Sequence, residues 1–331
     1  MASVLITGAS GFIGNHVTRR CLEKGDRVRV MVMPGEDRSP FAGLDVEFVE
    51  GNLLDAPSLT KAVAGIEQLY HMAALFAVWT KDPDLHYKIN VDGTRALMEA
   101  AQSAGVEKIV YTSSVAAIGV NPDRTPATEK TPFNCWPWAS EYILSKFISH
   151  QMVKGMVSQG LPVTMVLPAL PFGPGDRAPT PTGSLMVGIL KGKMKNYWDA
   201  GVCPVDVRDV AAGHLLAMEK GRIGESYLLG NNETNMTNQE FLQLVGRLTG
   251  VPNVAVRKIS HGTMLTASKA IEGWSKLTGR PASTTYKNTL FAQQYCYVDA
   301  SKAINELGLP QTPIENAILD AAQWFRSNGY V

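Results

Sequence analysis

The sequence predicts an α/β fold, a doubly wound parallel sheet with a smaller, mostly helical C-terminal lobe. Three observations predict it. Short β-branched runs alternate with helix-patterned stretches through the first half of the 331 residues, which specifies βαβ units and a parallel sheet covered on both faces. A turn with three glycines, Gly8, Gly11 and Gly14, joins the first such run to the first helical pattern. After about residue 170 the alternation gives way to "LPFGPGDRAPTPTG", rich in Pro and Gly, and then mainly to helices.

Taken in order, "SVLITG" reads as the first strand. A helix follows from about Gly11 to Lys24, with Ile13, Val17 and Cys21 spaced to form one buried face. Gly25 ends it. "RVRVMVM", "VEFVEG", "QLYHMAA", "KIVYTSS" and "VTMVLPA" are the next strands, each separated by a helix-like stretch. Two short strands, near "CPVDV" and "ESYLLG", are expected to return to the main sheet. "TNQEFLQLVGRLTG" begins with a capping box, Thr237 with Glu240, and ends at Gly250. The last helix is expected near "IENAILDAAQWFRSNG". The implied division is a nucleotide-binding domain over 1–169, with return strands within about 203–229. A substrate lobe over 170–331 is interleaved with it.

Hydrophobic residues make up 45% of the chain and charged residues 18%, enough for a substantial core. The net charge is +1 and Lys and Arg are scattered, so no nucleic-acid partner is expected. No apolar run approaches the length of a membrane span. The chain passes from Met1-Ala2-Ser3 straight into an apolar strand, without a basic leader or cleavage signal. Cys21, Cys135, Cys203 and Cys296 show neither paired nor metal-type spacing, so no metal site is expected. The simplest reading is a reduced, soluble, cytoplasmic protein.

A strand that turns sharply into a helix leaves the first helical N–H groups unpaired and converging on one spot. Phosphate oxygens fit there, favoured by the helix dipole. Gly8 permits the tight turn, Gly11 lets a pyrophosphate approach the backbone, and Gly14 allows close packing of helix on strand. The turn is therefore read as a Rossmann-type dinucleotide site. Farther on, Tyr142 and Lys146 stand four apart in "EYILSK" and share a helix face. An ammonium beside a phenol is expected to lower the phenol's pKa and make it a usable general acid/base. Ser113 and Ser114 end a strand in "VYTSS", and Asn90 lies inside a helical stretch, "YKINVDGT". Successive strand residues point to opposite faces, so only one of the two serines is expected to serve the site.

Together with T-G-x-x-G-F-x-G, these residues resemble the extended short-chain dehydrogenase/reductase family over nearly the whole chain. Within it the sequence is similar to dihydroflavonol-reductase-like carbonyl reductases and to hopanoid-associated sugar epimerases. "GPGDRAPTPTG" and "WFRSNGY" resemble the latter. The resemblance implies catalytic roles for Ser114, Tyr142 and Lys146, with Ser113 as rival to Ser114. It also implies that Asn90 supports Lys146 through a water in a proton relay. It implies a nicotinamide cofactor held by Gly8, Ser10, Gly11, Phe12, Ile13, Met33, Arg38, Asn52, Leu53, Ala73, Ala74, Tyr142, Lys146 and Pro168.

The second strand should end at the ribose-binding position. Met33 there is neither the acid that suits NAD nor the Arg that suits NADP. Arg38 lies just beyond and Glu36 and Asp37 argue the other way; the reading leans to NADP(H) over NAD(H). Aromatic residues are expected around the nicotinamide: Phe76, Trp79, Trp136, Trp138, Phe172 and Trp198, with Leu170. They suit a hydrophobic or aromatic carbonyl substrate. In "LPALPFGP", Leu167, Leu170 and Phe172 replace the polar residues that nucleotide-sugar epimerases carry in R-x-x-N-x-Y-G-P. An NAD-dependent epimerase or dehydratase is the alternative, with Arg177 and Arg208 as substitutes for the missing contacts. A non-catalytic NADP(H) sensor is a third reading, disfavoured because Tyr142 and Lys146 are both present. Helices between Leu85 and Ala104 and between Tyr142 and Gln159 could form a homodimer seam.

Overall fold

The computed structural model describes residues 1–331. Seven strands form one parallel sheet: β1 (Ser3–Thr7), β2 (Arg27–Val32), β3 (Glu47–Glu50), β4 (Gln68–His71), β5 (Lys108–Thr112), β6 (Val163–Pro168) and β7 (Ser226–Leu229). Their order is β7-β6-β5-β4-β1-β2-β3. In register, Ser3 pairs with Arg27 and Val4 with Gln68, so β1 lies between β2 and β4. The chain winds outward from β1 in one direction and from β4 in the other. A crevice therefore opens between the C-terminal ends of these two strands.

Helices cover both faces. On one side α1 (Phe12–Glu23) packs with a later helix, Val207–Lys220, over Val4, Ile6, Val30 and Val166. On the other, α2 (Ala56–Val63), α3 and α4 (Glu141–Met156) lie over Leu5, Leu69, Ile109 and Met165. Here α3 denotes the continuous run Leu85–Tyr87, Lys88–Gly93 and Thr94–Ser103, whose middle section is a π-helix. Coverage of both faces is plainest in β6, where all six residues are buried.

The C-terminal region is helical, as expected. It comprises α5 (Pro181–Leu190), α6 (the Val207–Lys220 helix), α7 (Asn238–Thr249), α8 (His261–Thr278), α9 (Tyr286–Phe291), α10 (Ser301–Leu307) and α11 (Ile314–Ser327). The Thr237–Glu240 capping box forms and Gly250 ends α7 at φ +72°. One expectation is corrected. "ESYLLG" joins the main sheet beside β6, but Pro204–Asp206 does not. It pairs with Leu170–Phe172 in a separate two-stranded ribbon. Pro168 ends β6, and the chain then steps sideways so that Leu170 N–H donates to Cys203 C=O. No helix is long and apolar enough to cross a membrane.

Candidate functional site

The glycine turn sits at the crevice between β1 and β4. Gly8 adopts φ +70°, and a Cβ there would lie 2.7 Å from the Ala73 nitrogen. A Cβ on Gly14 would lie 2.0 Å from the Gly8 oxygen, so α1 can approach β1 only because that residue has no side chain. Gly11 caps α1 without any side-chain hydrogen bond, and no acidic residue occupies the first turn. By contrast Thr180, Asp206, Thr237, Ser260 and Thr285 all cap their helices with side-chain oxygens. The first N–H groups of α1, from Phe12 and Ile13 onward, are thus left for an external acceptor. The side chain of Phe12 itself is buried and that of Ile13 packs on the core, so these two residues can offer a cofactor only backbone. Ala73 N–H, across the crevice, donates to Thr7 Oγ1 at 3.3 Å. Ala74 is exposed beside it. These groups fit the pyrophosphate of a dinucleotide.

The loop after β2 differs from expectation. Met33 is exposed at its start. Arg38 does not face the glycine turn: it pairs with Glu50 at 3.2 Å and lies 4.8 Å over the Phe48 ring. The carboxylate at the mouth of the turn belongs to Glu36, which accepts hydrogen bonds from Ser10 Oγ and from Met33 N–H. Asn52 Oδ1 accepts from Leu54 N–H at 2.9 Å, closing its own loop. Leu53 is buried against Gly93 and, like Phe12, has no side chain to offer. Pro168 is buried at the end of β6.

Tyr142 and Lys146 share one face of α4 at the C-terminal end of β5. Lys146 is 3% exposed and its Nζ donates to Thr112 C=O at 2.8 Å. Burial pushes its pKa down to about 7. Burial pushes the Tyr142 phenol up to about 12, with the Ser114 hydroxyl acting the other way. This reverses the expected lowering of the phenol. The ammonium is drawn onto a backbone carbonyl, and desolvation by apolar neighbours outweighs any help it gives the phenolate. The two serines separate as strand geometry requires. Ser113 is buried with its Oγ 2.9 Å from His150 Nδ1, whereas Ser114 faces Tyr142.

Asn90 lies in the π-helical section of α3, and its amide is fully engaged. Oδ1 accepts from Leu75 N–H at 2.7 Å, and Nδ2 donates to Leu75 C=O at 3.1 Å and Ser145 Oγ at 2.9 Å. The geometry makes its side chain a clamp between loop 75–80 and α4. His86 Nε2 near Ala77 C=O and Asn288 Nδ2 on Val78 C=O hold the same loop farther along. Sequence reasoning missed both, because their partners are backbone atoms with no motif.

Of the aromatic candidates, Phe76 stands over the site, its ring centroid 4.5 Å from that of Tyr142. Trp138 packs with Tyr142 and Phe291 around Ala116, Cys135, Ala139 and Ile143. Phe291, from α9, was not anticipated. Trp79 is half-buried in the clamped loop. Four expectations are corrected. Phe172 is 2% exposed and packs at a tilt against Phe241 in the core of the C-terminal region. Leu170, on the same ribbon, packs against that core. Trp136 is 60% exposed, in a surface cluster with Phe133 and Phe147. Trp198 is anchored by Nε1 to Ala292 C=O at 2.7 Å and braces α9. A string of aromatics carries no period, so sequence alone could not sort core from cleft.

A family model described as the NAD dependent epimerase/dehydratase family matches residues 4–230. The chain belongs to this epimerase/dehydratase family. A Synechocystis sp. relative named as a dihydroflavonol 4-reductase is 37% identical over 330 residues, covering 98% of this chain and 95% of that one. Sterol demethylase protein B of Methylococcus capsulatus is 32% identical over 332 residues, covering 99% of this chain and all of its own. The crystal structure of gox2253 superposes with a TM-score of 0.88 at 37% identity over the full length of both chains. A nucleoside-diphosphate-sugar epimerase from Pseudomonas aeruginosa, PA4631, gives 0.81 at 25% identity over 99% of each. The epimerase/dehydratase family binds a nicotinamide cofactor, and the open α1 terminus and glycine cradle agree with that. The two arginines considered as sugar-diphosphate ligands are engaged elsewhere. Arg208 pairs with Asp206 and Asp320, each at 2.6 Å. Arg177 donates to Ser39 Oγ at 3.0 Å.

Proposed function

We propose that this protein is an NAD(P)H-dependent reductase that converts an aldehyde or ketone of a hydrophobic or aromatic small molecule to the alcohol. The observation that carries the reading is the placement of Tyr142: a half-buried tyrosine with Ser114 beside it and Phe76 over it, its phenol held in the protonated form by desolvation. A protonated phenol in an apolar pocket suits proton delivery to a nascent alkoxide. When bound, the dihydronicotinamide supplies the hydride that adds to the carbonyl carbon. Ser114 and Tyr142 donate hydrogen bonds to the carbonyl oxygen as negative charge gathers there. Tyr142 then gives up its proton to complete the alcohol. Lys146 donates to the Thr112 carbonyl beneath the site; Asn90 positions loop 75–80 over it. Relatives named as dihydroflavonol 4-reductase and cinnamoyl-CoA reductase support the reductive direction. So does the engagement of Arg208 by two carboxylates, which a sugar diphosphate would have to share or displace. A cytoplasmic protein is part of this reading, as is a homodimer through the outward faces of α3 and α4.

The test is a panel of hydrophobic aldehydes and ketones set beside UDP- and dTDP-sugars, following reduced-nicotinamide absorbance and sugar products. Carbonyl turnover is expected in the parent. Tyr142→Phe is expected to lower kcat by about 10²–10⁴-fold with dinucleotide affinity unchanged. Conversion of a nucleotide sugar without net change in the cofactor, and no carbonyl turnover, would establish the epimerase instead.

A further inference from the structure

We infer that Glu36 selects the adenosine ribose, so that the protein takes NAD(H) and rejects NADP(H). The inference rests on the dinucleotide reading of the glycine turn and goes beyond it. It also replaces the leaning to NADP(H) drawn from Arg38.

The argument begins with a turn. Met33-Pro34-Gly35-Glu36 closes with Glu36 N–H on Met33 C=O at 3.0 Å, and Gly35 takes φ +76°. Pro in the second place and Gly in the third are the residues a type II turn favours. The turn folds the Glu36 side chain back over the end of β2. There Oε2 accepts from Met33 N–H at 2.6 Å and Oε1 from the Ser10 hydroxyl. Ser10 belongs to the glycine turn, so one half-buried carboxylate bridges the two loops. A dinucleotide whose pyrophosphate lies at the α1 terminus places its adenosine ribose between those loops.

The chemistry of that position follows from lone pairs and charge. A carboxylate has about four acceptor sites, and two are taken here. The remaining two can accept the vicinal hydroxyls of an unmodified ribose. A 2′-phosphate brings about two negative charges to the same place. It would meet Glu36 directly, with Asp37 next in sequence. Arg38 and Arg177, the cations of these loops, are each engaged with other groups. Arg38 is paired with Glu50 and stacked on Phe48. Arg177 donates to Ser39 Oγ and lies beside Asp37. The Ser10 hydroxyl, which could otherwise donate to a phosphate, already donates to Glu36.

The experiment is calorimetric titration of NADH, NADPH, ADP-ribose and 2′-phospho-ADP-ribose into the parent, Glu36→Ser and the double variant Met33→Arg/Glu36→Ser. No turnover is needed. The parent is expected to bind NADH at least about tenfold more tightly than NADPH, the scale of a charge-assisted hydrogen bond. ADP-ribose should show the same preference over its 2′-phosphate. Glu36→Ser should erase the difference, and the double variant should invert it. A parent that binds NADPH as tightly as NADH, or a preference unmoved by Glu36→Ser, overturns the role of Glu36 and leaves the dinucleotide site standing. A parent that binds neither dinucleotide overturns both. Unchanged circular dichroism and melting of Glu36→Ser would exclude misfolding; a misfolded variant would make Glu36 a structural brace and overturn the selective role.

Discussion

At the scale of single residues, burial works against the charge on Lys146. Lys146 donates to Thr112 C=O, and its Nζ lies 5.3 Å over the Tyr111 ring. Burial lowers its pKa from 10.5 to about 7. The folded state therefore binds fewer protons than the unfolded chain between about pH 7 and 10.5. Stability associated with this group is complete above 10.5 and is lost as pH falls through about 7. Lys146→Met should thus raise unfolding free energy by a few kcal/mol at pH 6–7, at about 1.4 kcal/mol for each pH unit separating the folded and unfolded pKa values, with the gain fading toward pH 10.5. The same variant should weaken dinucleotide binding and turnover together. Urea denaturation across pH, beside the binding titration, checks this; a destabilised Lys146→Met at pH 7 would contradict it. The Tyr142–Lys146 pair was legible in the sequence because a spacing of four fixes a shared helix face. Its ionisation was not, because that depends on Ala116, Cys135, Ala139 and Ile143, which reach the site through packing. That Ser113 turns to His150 and Ser114 to Tyr142, just past the end of β5, was likewise not legible, because it depends on what packs on each face.

At the scale of elements, two glycines in helices should respond to alanine with opposite signs. A Cβ on Gly14 would meet Gly8 O at 2.0 Å and Ala9 Cα at 2.9 Å, both backbone, so α1 must lift away from β1. Gly14→Ala should cost about 3 kcal/mol, at the upper end of ordinary overpacking, and abolish dinucleotide binding. Gly155, in the exposed last turn of α4, has open space around its Cβ position. Gly155→Ala should stabilise by about 0.5–1 kcal/mol through the unfolded chain. Thermal denaturation of both variants distinguishes a packing requirement from general intolerance of substitution; equal shifts would mean that α1 can slide. Strands, α1 and the capped α7 were readable because each carries a local period or cap. The Leu170–Phe172 and Pro204–Asp206 ribbon was not. Its partners are more than thirty residues apart, and short apolar strands look alike wherever they pair. The π-helical turn at Lys88–Gly93 also left no mark; it contains Asn90, whose side chain bonds to Leu75 and Ser145, both far from it in sequence.

At the scale of the whole molecule, the end of the sheet that carries the candidate site is held by three buried histidines whose neutral form is favoured. His71 lies between Thr7 Oγ1 at 2.8 Å and Thr94 Oγ1 at 3.0 Å, tying β1, β4 and α3. His150 links α4 to Ser113. His214, on α6, lies 2.8 Å from Val210 C=O and 2.9 Å from Thr112 Oγ1. The carbonyl can only accept, so His214 Nδ1 carries the proton and Nε2 accepts from Thr112. Burial lowers the pKa of His71 to about 3 and of His150 and His214 to about 4. All three lie below the unfolded value of 6.5. Their stability contribution is full above that value and is lost as pH falls toward about 4, because the unfolded chain takes up protons that the folded one refuses. Near pH 5 each histidine adds a slope of about 1.4 kcal/mol per pH unit, so the fold should weaken steeply on mild acidification. These groups reach into the layers on both faces of the sheet, so the loss should appear as one cooperative transition. His214→Asn keeps a polar group but cannot be protonated. It should lower stability at pH 7.5 and flatten its pH dependence between 6.5 and 5 by about one proton's slope. Denaturant unfolding at half-unit pH steps measures both, and a His214→Asn curve parallel to the parent's would show that the buried imidazole is not coupled to folding.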